Sequence, residues 1–455
     1  MIRRLANVLT VLVILATVAG PATAEPARAT STPIKHFVVL MQSGHSFDNY
    51  FGTYPGADGI PAGTCMRLSK DKPSTDGCVR PFRLGAESPD HLDHGPTTQR
   101  AQYAEGRMDG FVSAYRERGL DGANAMGYYD ANDLPYYWNV AQKYTLFDRF
   151  FSSASTGSRR NRFYWVAGVP TPGSSERVPP GGYGDIPTIF DRLEQAGVPW
   201  KFYVENYDPK ITFRAPGSGP KAGQPTRVPL LNYARFLDDP KLSGKIVDLT
   251  QYYTDLRDGT LPAVAYVASS GSSENPPSRV RAGQALVRKM TARLAKSRYW
   301  SSSAFMWTYD SWGGWYDHVP PPKVDNDGLG FRVPALLVSA YSRRGHIEHT
   351  QLDHTAVLKF IEDNWRVAPL GERDARSAGI DGAFDFASPP RPPELLGTDR
   401  STAPPAPAPA TVVYLSYGGA VVLALLSCFC VAPIGRWLTR RRQSAADDAG
   451  EGVQR

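Results

Sequence analysis

Short apolar runs of β-forming residues alternate with amphipathic helical stretches from residue 34 onward, and nothing else in the chain narrows its fold as much. The runs are residues 34–41, 200–204, 261–268, 304–309 and 333–340. Between them, 188–197 carries Ile189, Phe190 and Leu193 on one helical face, 283–296 carries Leu286, Met290 and Leu294, and 356–365 gathers Val357, Phe360 and Ile361. This alternation predicts an α/β fold with a central, mostly parallel sheet and helices on both faces. Ligands in such folds sit beyond the carboxyl ends of the strands. Attention therefore falls on Gln42, Ser43, Gly44, His45 and Asp48 after the first run, and on Asp310, Asp317 and His318 after the fourth.

The chain has 455 residues, 42% of them apolar and 21% charged, which is enough to bury a large core and excludes collagen, coiled coil and low-complexity scaffolds. The net charge of +7 comes partly from the two ends. Residues 25–410 carry 44 basic against 41 acidic residues, and so balanced a body offers no case for nucleic-acid binding.

Arg3 and Arg4 precede an apolar run over 5–20, and Ala22-Thr23-Ala24 follows, the three parts of a signal peptide over 1–24, with an uncleaved anchor as the alternative. Residues 412–434 hold no charge and are followed by Arg436, Arg440, Arg441 and Arg442. This predicts one transmembrane helix, a cytoplasmic basic tail over 435–455, and a body over 25–388 facing outward at the cell membrane. The Pro-rich segment 389–411 reads as a semi-rigid linker. Cys65 and Cys78, the two body cysteines, are expected to form a disulfide in that oxidising compartment.

Seven of the eight histidines lie in polar clusters: His45, His91, His94, His318, His346, His349 and His354. Imidazoles and carboxylates together suit a divalent ion that polarises a phosphoryl oxygen, and they equally suit loop hydrogen bonding. His318, next to Asp317 at a strand exit, is the leading acid/base candidate. The aromatic run 307–316, with Trp312 and Trp315, reads as loop packing or as a lipid-facing surface.

Residues 34–41 with Ser46-Phe47-Asp48-Asn49, then Met108-Asp109-Gly110-Phe111, Asn161-Arg162, Trp307-Thr308-Tyr309-Asp310, Asp317-His318 and 349–355 with 360–364 resemble the bacterial phosphoesterase family. That family includes phospholipases C of the non-haemolytic type and a group of acid phosphatases. The resemblance, over about 34–376, implies an alkaline-phosphatase-like α/β fold, a divalent metal, and a covalent phosphoryl-enzyme later released by water. It assigns the nucleophile to Ser158 and metal ligation to Ser158 and Asp310. Asp317, His318 and His354 would then act as catalytic groups, and Asn161, Arg162 and His45 would bind substrate. The chain departs from the family at the other metal positions. Ser43 and Gly44 stand where Glu and Asn are usual, Ser311 replaces an acid, and Glu274-Asn275-Pro276-Pro277 replaces Glu-His-Pro-Pro. The expected function is hydrolysis of phosphoric esters of a lipid or envelope polymer; the alternative is a pseudoenzyme that binds an envelope ligand or partner.

Overall fold

The computed structural model describes residues 29–399, apart from 86–90, 173–177 and 277. The expected signal peptide, transmembrane span and basic tail lie outside the described residues. Among those described, no helix is long and apolar enough to cross a membrane.

Eight strands form one sheet: β1 (His36–Gln42), β2 (Thr145–Phe147), β3 (Trp200–Val204), β4 (Ile246–Asp248), β5 (Val264–Ala268), β6 (Ser303–Tyr309), β7 (Ala335–Ser339) and β8 (His346–Glu348). Their spatial order is β8-β2-β7-β6-β1-β5-β3-β4. Seven run parallel, as expected, and β7 runs antiparallel between β6 and β2. The predicted run 333–340 is thus a strand of opposite direction, trimmed at both ends. The other predicted runs hold with ends moved by up to three residues; β2, β4 and β8 were not expected.

The main helices are α1 (Pro135–Lys143), α2 (Ser158–Ala167), α3 (Ile189–Gln195), α4 (Thr250–Asp258), α5 (Val280–Ala295) and α6 (Thr355–Trp365). Strand side chains alternate between two helical layers. On one face Phe37 meets Phe360 of α6 at 4.9 Å between ring centroids, and Tyr266 meets Trp165 of α2 at 4.4 Å and Phe190 of α3 at 4.8 Å. On the other, Trp307 meets Tyr137 of α1 at 5.3 Å and Tyr203 meets Tyr252 of α4 at 5.6 Å. All of β5 and β6 is buried, which explains runs apolar at every position rather than at alternate ones.

Cys65 and Cys78 form the expected disulfide. The compact unit that holds the sheet runs to Thr398. The first part of the Pro-rich segment is held by Arg391, which donates to the Ser342 carbonyl at 2.7 Å and stacks on Tyr144, while Trp300 Nε1 donates to the Arg391 carbonyl at 2.7 Å.

Candidate active site

The parallel pairing of β1 with β6 sets Gln42 opposite Tyr309, so the next residues, Ser43 and Asp310, leave the sheet side by side. Ser43 Oγ donates to Asp310 Oδ2 at 2.6 Å, and Ser311 Oγ donates to Oδ1 at 3.2 Å. Asp310 is fully buried. Its charge is met by Arg162, also fully buried, whose Nε donates to Oδ2 at 2.8 Å. The same guanidinium donates to the Gln42 carbonyl at 3.1 Å and to Ser43 Oγ at 3.3 Å.

Arg162 and Ser158 share one helix. Ser158 is the first residue of α2, after Gly157, whose φ of 89° lies in the left-handed region that glycine tolerates. Asn161 fixes this entry: its Oδ1 accepts from the Ala154 N–H at 2.7 Å and its Nδ2 donates to the Gly157 carbonyl at 3.2 Å. Ser158 thus sits, partly exposed, where the unpaired N–H groups of α2 point outward, with Arg162 one turn below on the same face. Arg227 lies alongside, its carbonyl accepting from Arg162 at 3.4 Å. Burial foremost, then the charge of Arg162, pulls the Arg227 pKa down to about 10.

His318 and Asp317 belong to a different cluster. Arg332, fully buried, donates from Nε to Asp317 Oδ1 at 2.9 Å and from its terminal nitrogen to Asp48 Oδ1 at 3.0 Å. His318 Nδ1 lies 2.7 Å from Asp48 Oδ2 and Nε2 lies 3.2 Å from Asp58 Oδ1. Burial opposes protonation of His318, but its hydrogen bond to Asp48 and the charges of Asp48 and Asp317 outweigh it and raise the pKa. Asp317 is also raised, by burial foremost and by Asp48, against the pull of Arg332. His349 continues the chain through Asp148 at 2.9 Å.

The pattern of the phosphoesterase family matches residues 34–368. The chain belongs to that family. It is 30% identical to phospholipase C A of Mycobacterium tuberculosis over 81% of this chain and 80% of that one. It is 29% identical to a non-hemolytic phospholipase C of Burkholderia pseudomallei, over 81% of this chain and 62% of that one. A solved alkaline phosphatase superfamily structure from Vibrio parahaemolyticus aligns with a TM-score of 0.37 at 11% identity, covering 80% of this chain and 73% of that chain.

As a phosphoesterase-family chain it joins Arg162 to Asp310, with Ser158 one turn away on the helix of Arg162, and it places several expected residues in other contacts. Asn161 and Arg162, expected to bind substrate, are spent on the loop before α2 and on Asp310. His45, expected to bind substrate, is fully buried, with Nδ1 at 2.7 Å from Asn49 Oδ1 and Nε2 at 3.0 Å from the Glu274 carbonyl. Burial drops its pKa to about 4. His354 is buried with Nε2 at 2.9 Å from the Tyr309 carbonyl; Nδ1 has no partner among the described residues, and burial brings its pKa to about 4. It is therefore a neutral imidazole, and not a proton donor at neutral pH. His346 pairs with Glu348, and His94 Nδ1 faces the Leu92 carbonyl, both local contacts.

The donors at the family's metal position do not fit a divalent cation. Such an ion needs several charged or carbonyl oxygens, and one carboxylate remains there, already bonded to Arg162 and two serines. A Cβ at Gly44 would come 2.4 Å from Asn275 Oδ1, so Asn275 fills the space an asparagine side chain would enter. Asp48, Asp317 and His318 do offer ligand atoms within 4.8 Å of one another, a candidate metal group, with Arg332 already bonded to both carboxylates.

Sequence reasoning missed Arg332 and the setting of Glu274. Arg332 was detectable as a lone charge inside an apolar stretch leading into β7. Glu274 is fully buried at a φ of 66°, and accepts from Tyr50 and Tyr309, both at 2.6 Å, from Gln42 at 3.2 Å and from Tyr137. Burial outweighs these donors and pushes its pKa up to about 7.

Proposed function

We propose that this chain hydrolyses phosphoric esters of the phospholipase C kind, as an exported protein held at the outer face of a membrane by residues 412–434. The observation that carries this is the placement of Ser158 at the head of α2, one turn above Arg162, at the carboxyl edge of the sheet. The Ser158 oxygen attacks phosphorus and loses its proton to solvent, the alcohol leaves with its own oxygen and takes a proton from solvent, and water then cleaves the Ser158–phosphoryl bond, its oxygen joining phosphorus and a proton returning to the serine. The N-terminal dipole of α2 and the Arg227 guanidinium favour the negative charge that builds on the phosphoryl oxygens. Asn161 holds the Ala154–Gly157 loop, and so Ser158, in place. The names of the relatives, phospholipases C, support a phospholipid as substrate.

Membranes bearing the full chain are expected to release headgroup from phosphatidylcholine vesicles or nitrophenol from a nitrophenyl phosphodiester. Ser158→Ala should lower that rate by about a thousandfold or more. An unchanged rate in the variant would defeat the assignment. A second reading, a pocket that binds a phosphoester without turnover, is favoured by Arg162 closing on Asp310, which leaves no carboxylate there to serve as base.

A further inference from the structure

We infer that Arg162 takes the place of the divalent cation of this family as the counter-ion of Asp310, so that the position is built without a metal ion. The inference rests on reading the Ser158 side of the sheet as the phosphoester pocket, and it deepens that reading.

Three independent observations agree. First, the positions that lost their donors are filled by a network of their own. Ser43 and Ser311 are both hydrogen-bonded to Asp310, and Arg162 bonds Asp310, Ser43 and the end of β1 at once. An arginine fork bridging a carboxylate, a hydroxyl and a carbonyl is held in a single geometry, as an ion with fixed ligands would be. Second, the backbone has closed over the position. Asn275 occupies the space beside Gly44, and a Cβ on Gly313 would lie 2.0 Å from the Gly44 carbonyl oxygen. Third, cations already occupy the position. Arg162 is paired with Asp310, and the Arg227 guanidinium feels Arg162 as well as the carboxylates of Glu205 and Asp310, so a divalent ion added beside Asp310 would meet two guanidiniums and find that carboxylate already paired.

The substituted serines are then a matched set. Each removed carboxylate would have left Arg162 with too many anions, and each hydroxyl donates to the one that stayed. Phosphate held at Ser158 would meet the positive end of α2 with Arg227 alongside, neither of which needs an ion to be positive at neutral pH.

The test uses the full-length protein in detergent, dialysed with and without EDTA. Elemental analysis should find the same divalent metal content in the wild type and in Asp310→Asn, so that any ion at Asp48, Asp317 and His318 cancels, and EDTA, Mg²⁺, Mn²⁺, Ca²⁺ or Zn²⁺ should shift the two thermal midpoints by equal amounts. Inorganic phosphate should bind equally well with and without EDTA. One tightly held equivalent of metal that Asp310→Asn removes, or phosphate binding lost in EDTA and restored by metal, overturns the inference. The triple variant S43E/S311D/R162M should gain a metal-dependent rise in thermal midpoint absent from the wild type. Should the triple variant fail to fold, the wild-type metal content and phosphate binding still decide. Turnover is scored separately. Metal-free protein that binds phosphate yet hydrolyses nothing defeats the hydrolase reading and leaves this one standing, whereas hydrolysis that requires a bound metal defeats this one and leaves the other.

Discussion

At the scale of single residues, Glu362 is the side chain whose surroundings suit it least. It lies on α6, buried, with the carboxyl group of Asp374 beside it. Burial foremost, then neighbouring Asp374, lifts its pKa from the ordinary 4.5 to about 9. Asp374 is anchored by the Leu370 and Gly371 N–H groups at 2.6 and 2.9 Å, which fix it beside Glu362. A carboxyl that keeps its proton when folded and loses it when unfolded contributes stability that is complete below the unfolded pKa and fades as pH rises toward the folded one. The native protein should therefore weaken steadily between pH 5 and 9. Glu362→Gln keeps the shape and removes the titration. We expect the variant to be more stable than the wild type by about 3 kcal/mol at pH 8 and nearly equal to it at pH 5, measured by urea unfolding at both pH values. A difference that does not change with pH would show that Glu362 is not the titrating group.

Among the elements, α5 is shaped by a neighbour outside it. A Cβ at Gly283 would come 1.9 Å from Glu274 Oε1, and that carboxyl cannot retreat because three tyrosines and Gln42 hold it. Glycine costs a helix interior about 1 kcal/mol against alanine, so on propensity alone Gly283→Ala should stabilise. Overpacking against a fixed group costs about 1–3 kcal/mol, and here it should win. Gly283→Ala is expected to lower the unfolding free energy by about 1–2 kcal/mol, with the loss shrinking when Glu274→Ala is added; a stabilised single variant would refute the fixed carboxyl. The same elements show what a sequence discloses. Five buried strands and three helices were legible because periodicity and apolar runs are properties of local sequence. The three-residue strands β2, β4 and β8 were not, since so few residues cannot display an alternation. Nor was the direction of β7, which depends on how the chain returns to the sheet. Ser43, Asp310 and Ser158 were legible as positions, and the register of β1 on β6 makes two of them neighbours. What Arg162 does with them could not be read, because a buried guanidinium looks in sequence like one that waits for substrate.

Across the whole molecule, one arginine joins segments that are far apart in the chain. Arg332, at the entrance to β7, reaches Asp48 just after β1 and Asp317 in the loop after β6, and it donates to the carbonyls of Asp58 and Asp148, both at 2.8 Å. Its face also lies 4.7 Å from the centre of the Phe47 ring. Four separate stretches are thus fastened at one fully buried centre, and its two nearest carboxylate partners, Asp48 and Asp317, are buried. Removing the guanidinium leaves two such charges without their principal counter-ion, which costs about 3–5 kcal/mol, a large share of the roughly 5–15 kcal/mol that holds a folded domain together. Lysine would not restore it, because a single ammonium cannot reach two carboxylates and two carbonyls with the spread of a planar fork. Arg332→Met should therefore unfold at markedly lower urea than the wild type at pH 8, and Arg332→Lys should recover only part of the loss. Acid should narrow the gap. Asp317 already has a raised pKa, and without Arg332 that pKa climbs further, so at pH 5 the orphaned carboxyl takes a proton and ceases to be a buried charge. Urea midpoints for the three proteins at pH 8 and pH 5 test this directly. If Arg332→Met loses as much stability at pH 5 as at pH 8, the defect lies in lost packing and carbonyl bonds, and the charge network is not what ties these segments together.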